Sequence, residues 1–377
     1  MRFKCSEWQR DTGKKINHIC RLNFMSACIT FLIVCLINQA QAEPVSVTDA
    51  AGQTIRLEKP PERIVVVGNA PFVPIHMLYM FPEMKDRLVG YERKVKVGEV
   101  FLPLIDPLYK NKRPLSQNPG VEEIASLKPD LVVTKGTTKG YLAGSLALSG
   151  IPVLHLGAEN PDLFLKDIRN IGRLLNNRKR SQAIIDFYQK RLDTIKKGVQ
   201  NRKNEKRPDV LVLEYSNRGG TAAVCVPARS WIQTIQATMA GGNPVWTDSL
   251  NIQNGWQITG FEQIAQWNPD KIYLIVWYRL NGKGVLQKLK DDRKWQLLKA
   301  VSSRQIYQFP QDIYGWDSPD PRWILGVMWM AKQTYPEMFK DLDIKAEVRL
   351  FFSTLFGLDQ KTIEMHIMPK VIIDETD

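Results

Sequence analysis

Two glutamates 140 residues apart, Glu122 and Glu262, occur in nearly the same local context. The first stretch reads Glu122-Glu-Ile-Ala-Ser-Leu-Lys-Pro-Asp130 and the second Glu262-Gln-Ile-Ala-Gln-Trp-Asn-Pro-Asp270, each followed by an apolar run suited to a strand. The repeat reads either as two βα units sharing a helix–Pro–Asp–strand idiom, or as two related lobes that each present a carboxylate at an equivalent point. Other chemistry is sparse. Beyond residue 42 the histidines are His76, His155 and His366, widely spaced, without the paired-histidine or Cys-x-x-Cys spacing of a metal site. His76 and His155 stand among apolar residues and read as core histidines. Cys225, within Ala222-Ala-Val-Cys-Val226, reads as a buried apolar residue. No nucleophile elbow, zincin, phosphate-loop or dinucleotide motif occurs. The aromatic and basic residues point instead to binding.

Those residues depend on strands and helices that alternate along the chain. Val45–Leu57 reads as two β-like runs around an Ala-Gly turn. Ile64–Gly68, Leu131–Thr134 and Val153–Leu156 are short, continuously apolar runs, as expected of strands buried on both faces. Asn160, Pro161 and Asp162 have the order of an N-cap, a first-turn proline and a dipole-matched acid, predicting a helix to Asn176. A second helix follows from about Ser181 to Lys197. Strand and helix patterns resume at Val210, and the chain closes with helices from about Pro321 and Ile344. Such alternation predicts doubly wound α/β lobes with parallel sheets.

Ligands of open parallel sheets bind outside the carboxyl ends of the strands. In the first lobe that rule selects Asn69, Phe72, Tyr91, Arg93, Lys135 and Tyr141. In the second it selects Tyr215, Trp277, Tyr278, Arg279, Tyr314, Trp316 and Asp317. Nine of the ten tryptophans lie between Trp231 and Trp329. Trp267, Trp323 and Trp329 fall within helical patterns and read as core. Trp277 and Trp316 fall at strand ends and read as either ligand wall or core. Arg229 and Arg322, near helix starts, read as anion-binding or solvated.

Residues 1–42 have a basic n-region, the apolar run Phe24–Ile37 and an Ala40-Gln-Ala42 site, predicting a cleavable secretory signal peptide. Val34 is too bulky for a lipoprotein box ending at Cys35, so lipidation is not expected. Cleavage removes six Lys/Arg and two Asp/Glu, lowering the formal charge from +13 to +9, and leaves Cys225 as the single cysteine. An exported chain with one cysteine has no internal disulfide. The charge suits an anionic ligand. Nucleic acid is not an expected partner, because the basic residues are scattered and the chain is exported.

Taken in order, VTDAAGQTIRL with Pro61-Glu-Arg-Ile64, EEIASLKPDLV, the helix after Asn160, Gln236–Asn243 and EQIAQWNPDKI resemble the periplasmic substrate-binding proteins of ABC importers for iron-siderophores, haem and cobalamin. The resemblance spans about Val45 to Leu358. It implies two α/β lobes joined by one long rigid helix, with the ligand gripped between them and modest closure. The domains would be a signal peptide at 1–42, a first lobe at 43–159, linker helices at 160–200 and a second lobe at 201–377, with Asn160–Asn176 as the spacer. By resemblance Glu122 and Glu262 dock into arginine pockets of the two permease subunits, with Glu123 an alternative to Glu122. The implied ligand is a metal chelate, a ferric siderophore first, with cobalamin, haem or a nickel chelate as alternatives. No resident cofactor, no catalytic residue and a periplasmic monomer are expected. The competing readings are a chelatase-like enzyme of similar fold and a secreted sensor domain.

Overall fold

The computed structural model describes residues 44–93, 98–136, 146, 148–200, 206–216, 223–248, 255–277 and 280–374. The signal-peptide expectation therefore lies outside the described residues, as do Tyr141, Tyr278 and Arg279. Among the described residues no helix is long and apolar enough to cross a membrane.

The chain enters through a hairpin, β1 (Val45–Thr48) against β2 (Thr54–Leu57), turning at Gly52 with φ of +79°. The first lobe is then built on β3 (Ile64–Val67), β4 (Leu88–Glu92), β5 (Arg113–Leu115), β6 (Leu131–Lys135) and β7 (Val153–Leu156). All neighbours pair in parallel, in the order β5-β4-β3-β6-β7. The order reverses direction beside β3, the topological switch point of a doubly wound sheet. All four residues of β3 are buried, which is why it reads as a continuous apolar run instead of an alternating one.

The second lobe departs from the all-parallel expectation. Its strands are β8 (Asp209–Ser216), β9 (Ala223–Pro227), β10 (Asn243–Pro244), β11 (Trp256–Thr259), β12 (Lys271–Val276) and β13 (Ile306–Gln308). The main path runs β11-β9-β8-β12-β13, and β10 pairs with the start of β8. The β8–β12 and β12–β13 pairs are parallel, but β8–β9 and β9–β11 are antiparallel. Six residues separate β8 from β9, too few for a crossover helix, so the chain must return beside itself. The sheet is consequently mixed, with an antiparallel edge.

Between β7 and β8 the chain forms two helices, Pro161–Leu174 and Arg178–Gln200. Asn160 caps the first, its side chain accepting from the Asp162 and Leu163 amides, with Pro161 in the first turn. A left-handed Asn176 (φ +55°) lets the chain fold back, and Gly172 admits Ser181, where a Cβ would stand 2.4 Å from the serine. The second helix is the longer of the two and bonds to residues of both lobes. Near its start Arg180 donates to Met80 O of the first lobe (2.7 Å) and to Leu355 O (2.7 Å). Farther along, Tyr188 donates to Pro321 O (2.7 Å) and Arg191 to Glu347 (2.8 Å). The first helix instead packs against β1 and β7.

The repeated stretches adopt the same local structure. The helices Val121–Ser126 and Phe261–Trp267 both start after an extended glycine, Gly120 or Gly260. Both are followed by a left-handed residue, Lys128 (φ +48°) or Asn268 (φ +40°). The Pro-Asp aspartate then caps the start of the neighbouring strand: Asp130 accepts from the Glu62 and Arg63 amides (2.7 and 2.9 Å), and Asp270 from the Asp209 amide (2.8 Å). Asp130→Ala removes both acceptors at the mouth of β3 and should lower unfolding free energy by about 1–3 kcal/mol in urea titrations.

Candidate functional site

At the carboxyl end of β12 a pocket opens between the two lobes, with about 120 Å³ of internal space. Phe72, at the start of the helix Phe72–Tyr79, is its wall from the first lobe. The second lobe contributes Ile275, Val276 and Trp277 from the end of β12, and the segment Phe309 to Ser318 after β13, including Tyr314 and Asp317. Phe72 stacks on Tyr314 (ring centroids 5.3 Å apart, planes at 15°), so the first lobe's wall rests on a second-lobe ring. Trp277 is 44% exposed at the rim.

A fully buried ionic cluster stands behind those rings. Arg322 donates through Nε to Asp312 (2.8 Å) and through Nη1 to Asp320 (2.9 Å). His76, from the first lobe, bonds Asp320 through Nδ1. Burial acts against the charge of Asp320, Arg322 and His76. Arg322 and His76 nevertheless hold the Asp320 carboxyl well below the usual range, and Asp312 and Asp320 hold the Arg322 guanidinium above its own. At His76 burial wins, and the imidazole pKa is lowered. With Asp320 ionised and accepting, the neutral ring carries its proton on Nδ1. The rings of Phe101, Tyr314 and Phe352 surround the guanidinium at 4.7, 5.1 and 5.3 Å. Tyr314 also meets His76 edge-on, with centroids 4.7 Å apart.

Asp317 differs from its neighbours. It is 7% exposed and lines the pocket, and burial pushes its carboxyl up to about 6 despite a hydrogen bond from Gln233. Asp320, three residues on, is shifted the opposite way because it has a guanidinium and an imidazole.

The strand-end rule brings Phe72, Trp277, Tyr314 and Asp317 together at this pocket. Trp316 is corrected: it is wholly buried behind the lining, donating Nε1 to Asp312 (2.9 Å). Arg322 is corrected as well, being neither solvated nor open to an anion. Arg229 is exposed and paired with Asp248 (2.8 Å), and Lys135 is paired with Glu159. Tyr91 stacks on Tyr109, Tyr215 sits opposite Val276 in the sheet, and Asn69 and Arg93 are exposed after β3 and β4. None of these six lines the pocket. His155 pairs with Asp49 (2.7 Å) in the interior, and Cys225 is buried in β9. Trp323 and Trp329 are core residues, and Trp267 is partly buried against the core.

Sequence reasoning missed the Asp312–Asp320–Arg322–His76 cluster. The available signal was Asp312, Asp317 and Asp320 crowded beside Arg322 in an otherwise basic chain. It also missed Glu92, buried at the end of β4, which accepts from the Gly68 amide (2.6 Å) and the Asn118 amide (3.0 Å) and so ties three strand-end segments together.

A model of the periplasmic binding protein family matches residues 85–313. The chain belongs to the periplasmic binding protein family. Among curated relatives it is similar to the ABC transporter substrate-binding lipoprotein YvrC of Bacillus subtilis, 24% identical over 310 residues, covering 79% of this chain and 88% of YvrC. It is also similar to the molybdate-binding protein MolA of Haemophilus influenzae, 20% identical, covering 88% of this chain and 97% of MolA. A third relative is the Fe(3+) dicitrate-binding periplasmic protein FecB of Escherichia coli, 23% identical, covering 75% of this chain and 88% of FecB. The fold superposes on a solved periplasmic solute-binding protein of Veillonella parvula with a TM-score of 0.68, at 23% identity over 86% of this chain and 97% of that one.

Two outcomes follow from the electrostatics of this binding protein. Arg322→Met strands Asp312 and Asp320 without their cation and should cost roughly 3–5 kcal/mol in urea unfolding at neutral pH. Asp317 behaves oppositely. Its folded-state carboxyl titrates near 6, above the ordinary 3.8, so its contribution to stability is complete below about pH 3.8 and is lost as pH rises through 6. Asp317→Asn should therefore match the parent near pH 4 and exceed it by up to about 3 kcal/mol at pH 7.

Proposed function

We propose that this protein captures a metal chelate, a ferric siderophore first among the classes, in the cleft at the ends of β3, β12 and β13, and delivers it to its importer. The observation that carries the delivery half is the equivalence of Glu122 and Glu262. Both are exposed in the first turn of a short helix, over the same pattern of buried and exposed neighbours. Both fold back over the preceding glycine, with Oε2 3.2 or 3.3 Å from where a Cβ would stand. Glu123 is engaged locally, accepting from the Ser116 amide (2.9 Å), which favours Glu122 as the free docking carboxylate. Two carboxylates on separate lobes suit two arginine pockets on a two-subunit permease, since arginine–carboxylate contacts are directional.

The ligand half rests on the aromatic pocket and on the named specificity of FecB for Fe(3+) dicitrate. Four rings line the pocket, a surface suited to the organic shell of a chelate. Such a ligand brings its own metal donors and needs no metal-binding cluster from the protein. No group of three metal-binding side chains occurs among the described residues.

Native mass spectrometry of protein purified from its host should reveal a retained chelate and its metal. Haem, cobalamin or a nickel complex would replace the siderophore assignment, and turnover of the bound chelate would support a chelatase. For delivery, the Glu122→Lys, Glu262→Lys double variant should reduce ligand uptake by cells about tenfold or more, with ligand affinity unchanged. Uptake equal to the parent's overturns the docking role.

A further inference from the structure

The described lining of the inter-lobe pocket carries one carboxylate, Asp317, and no lysine or arginine. The carboxylate has a built seat. Its Oδ1 lies against Gly315, where a Cβ would approach to 2.2 Å, so any larger residue there would displace it. Gln233 holds it from the helix Ile232–Met239, and Asp320, of like sign, acts on it in the same direction as burial. No described cation pairs with it, whereas Asp312 and Asp320 share Arg322. The rest of the pocket is aromatic: Phe72, Trp277, Phe309 and Tyr314. An acid that costs stability where it stands, facing a cleft, is the pattern of a functional group and not of a structural one. Aromatic faces beside a carboxylate form the chemical complement of an organic ammonium, through cation–π attraction and a charge-assisted hydrogen bond.

We infer that this pocket is specific for a cationic nitrogen on an apolar or aromatic body, a protonated amine or amidinium, with Asp317 as the residue that selects it. The inference rests on the reading of this chain as a substrate-binding protein and refines its ligand class. In a chelate, the part gripped here is the amine-bearing organic periphery, and the anionic metal core lies outside the pocket. A bare oxyanion is disfavoured, because it would meet a carboxylate in a site lined with rings. The chain's positive net charge, which suits an anionic ligand at long range, is thus reversed locally at this pocket.

The test is a titration of the mature protein at pH 7.5 with benzylammonium chloride and, separately, with sodium benzoate, followed by the amide NMR shifts of Gly315 and Ser318. Benzylammonium should bind saturably at those amides with a dissociation constant at least about tenfold below that of benzoate, one charge-assisted contact in magnitude. Asp317→Asn should bring the ratio near one, and Asp317→Ser should do the same if the asparagine variant misfolds. Stronger benzoate binding, a preference that survives both variants, or no saturable response at these amides up to about 100 mM benzylammonium overturns the inference. A ferric chelate titrated into the same samples separates the two claims. If it binds while benzylammonium fails, the ammonium pocket falls and the substrate-binding reading stands.

Discussion

The buried guanidinium of Arg322 is the interaction around which the inter-lobe pocket is organised. It is wholly inaccessible, as are Asp312, Asp320 and His76 to within a few per cent. Burying these groups is expensive, and close ion pairing with added hydrogen bonds is what offsets it. That requirement ties together segments far apart in sequence. His76 comes from the first lobe, Asp312 from the loop after β13, and Arg322 from the residue before the helix Trp323–Thr334. Phe101 and Phe352 close the cage from two further elements. The helix Arg178–Gln200 joins the same region, because Tyr188 donates to Pro321, between Asp320 and Arg322. The lobes are therefore joined by a bolt of charge as well as by the helix Arg178–Gln200.

The pocket inherits its shape from that bolt. Tyr314 is held against Arg322 and His76 on one side and stacks on Phe72 on the other. Asp312 accepts hydrogen bonds from the Arg322 guanidinium, the Trp316 indole and the Ile313 amide, fixing the loop from which Tyr314 and Asp317 project. Rigid second-lobe contacts of this kind leave little freedom for the pocket walls to rearrange independently. Within this one loop two carboxylates three residues apart have opposite electrostatics, and among the described residues the difference lies in pairing with a cation. Asp320 is paired and bonds His76 of the first lobe; Asp317 faces the pocket.

The duplicated Glu…Pro-Asp stretches show how much of a local design is carried by short sequence. Glycine allows the extended entry, the apolar Ile124 or Ile264 buries the inner face, and the glutamate is left outward in the first turn, where the helix dipole favours it. The aspartate caps the adjacent strand in each lobe. The two lobes nevertheless diverge, since the second sheet has an antiparallel edge that the first lacks.

Local signals in the sequence determined the strands β3, β6, β7, β8 and β12, the Asn160 cap, the outward glutamates and the membership of Phe72, Trp277, Tyr314 and Asp317 in one region. Each of these depends on periodicity, capping chemistry or the strand-end rule, all of which act over a few residues. The longer role of Arg178–Gln200, the antiparallel edge and the burial of Trp316 and Arg322 were decided only by tertiary structure. Trp316 and Trp277 occupy similar strand-end positions in sequence, yet one is enclosed by Asp312 and Gln236 and the other stands at the rim. Whether a charged or aromatic side chain faces solvent, ligand or core depends on partners distant in sequence. His76 and Arg322 are 246 residues apart, and no local pattern announces that they meet.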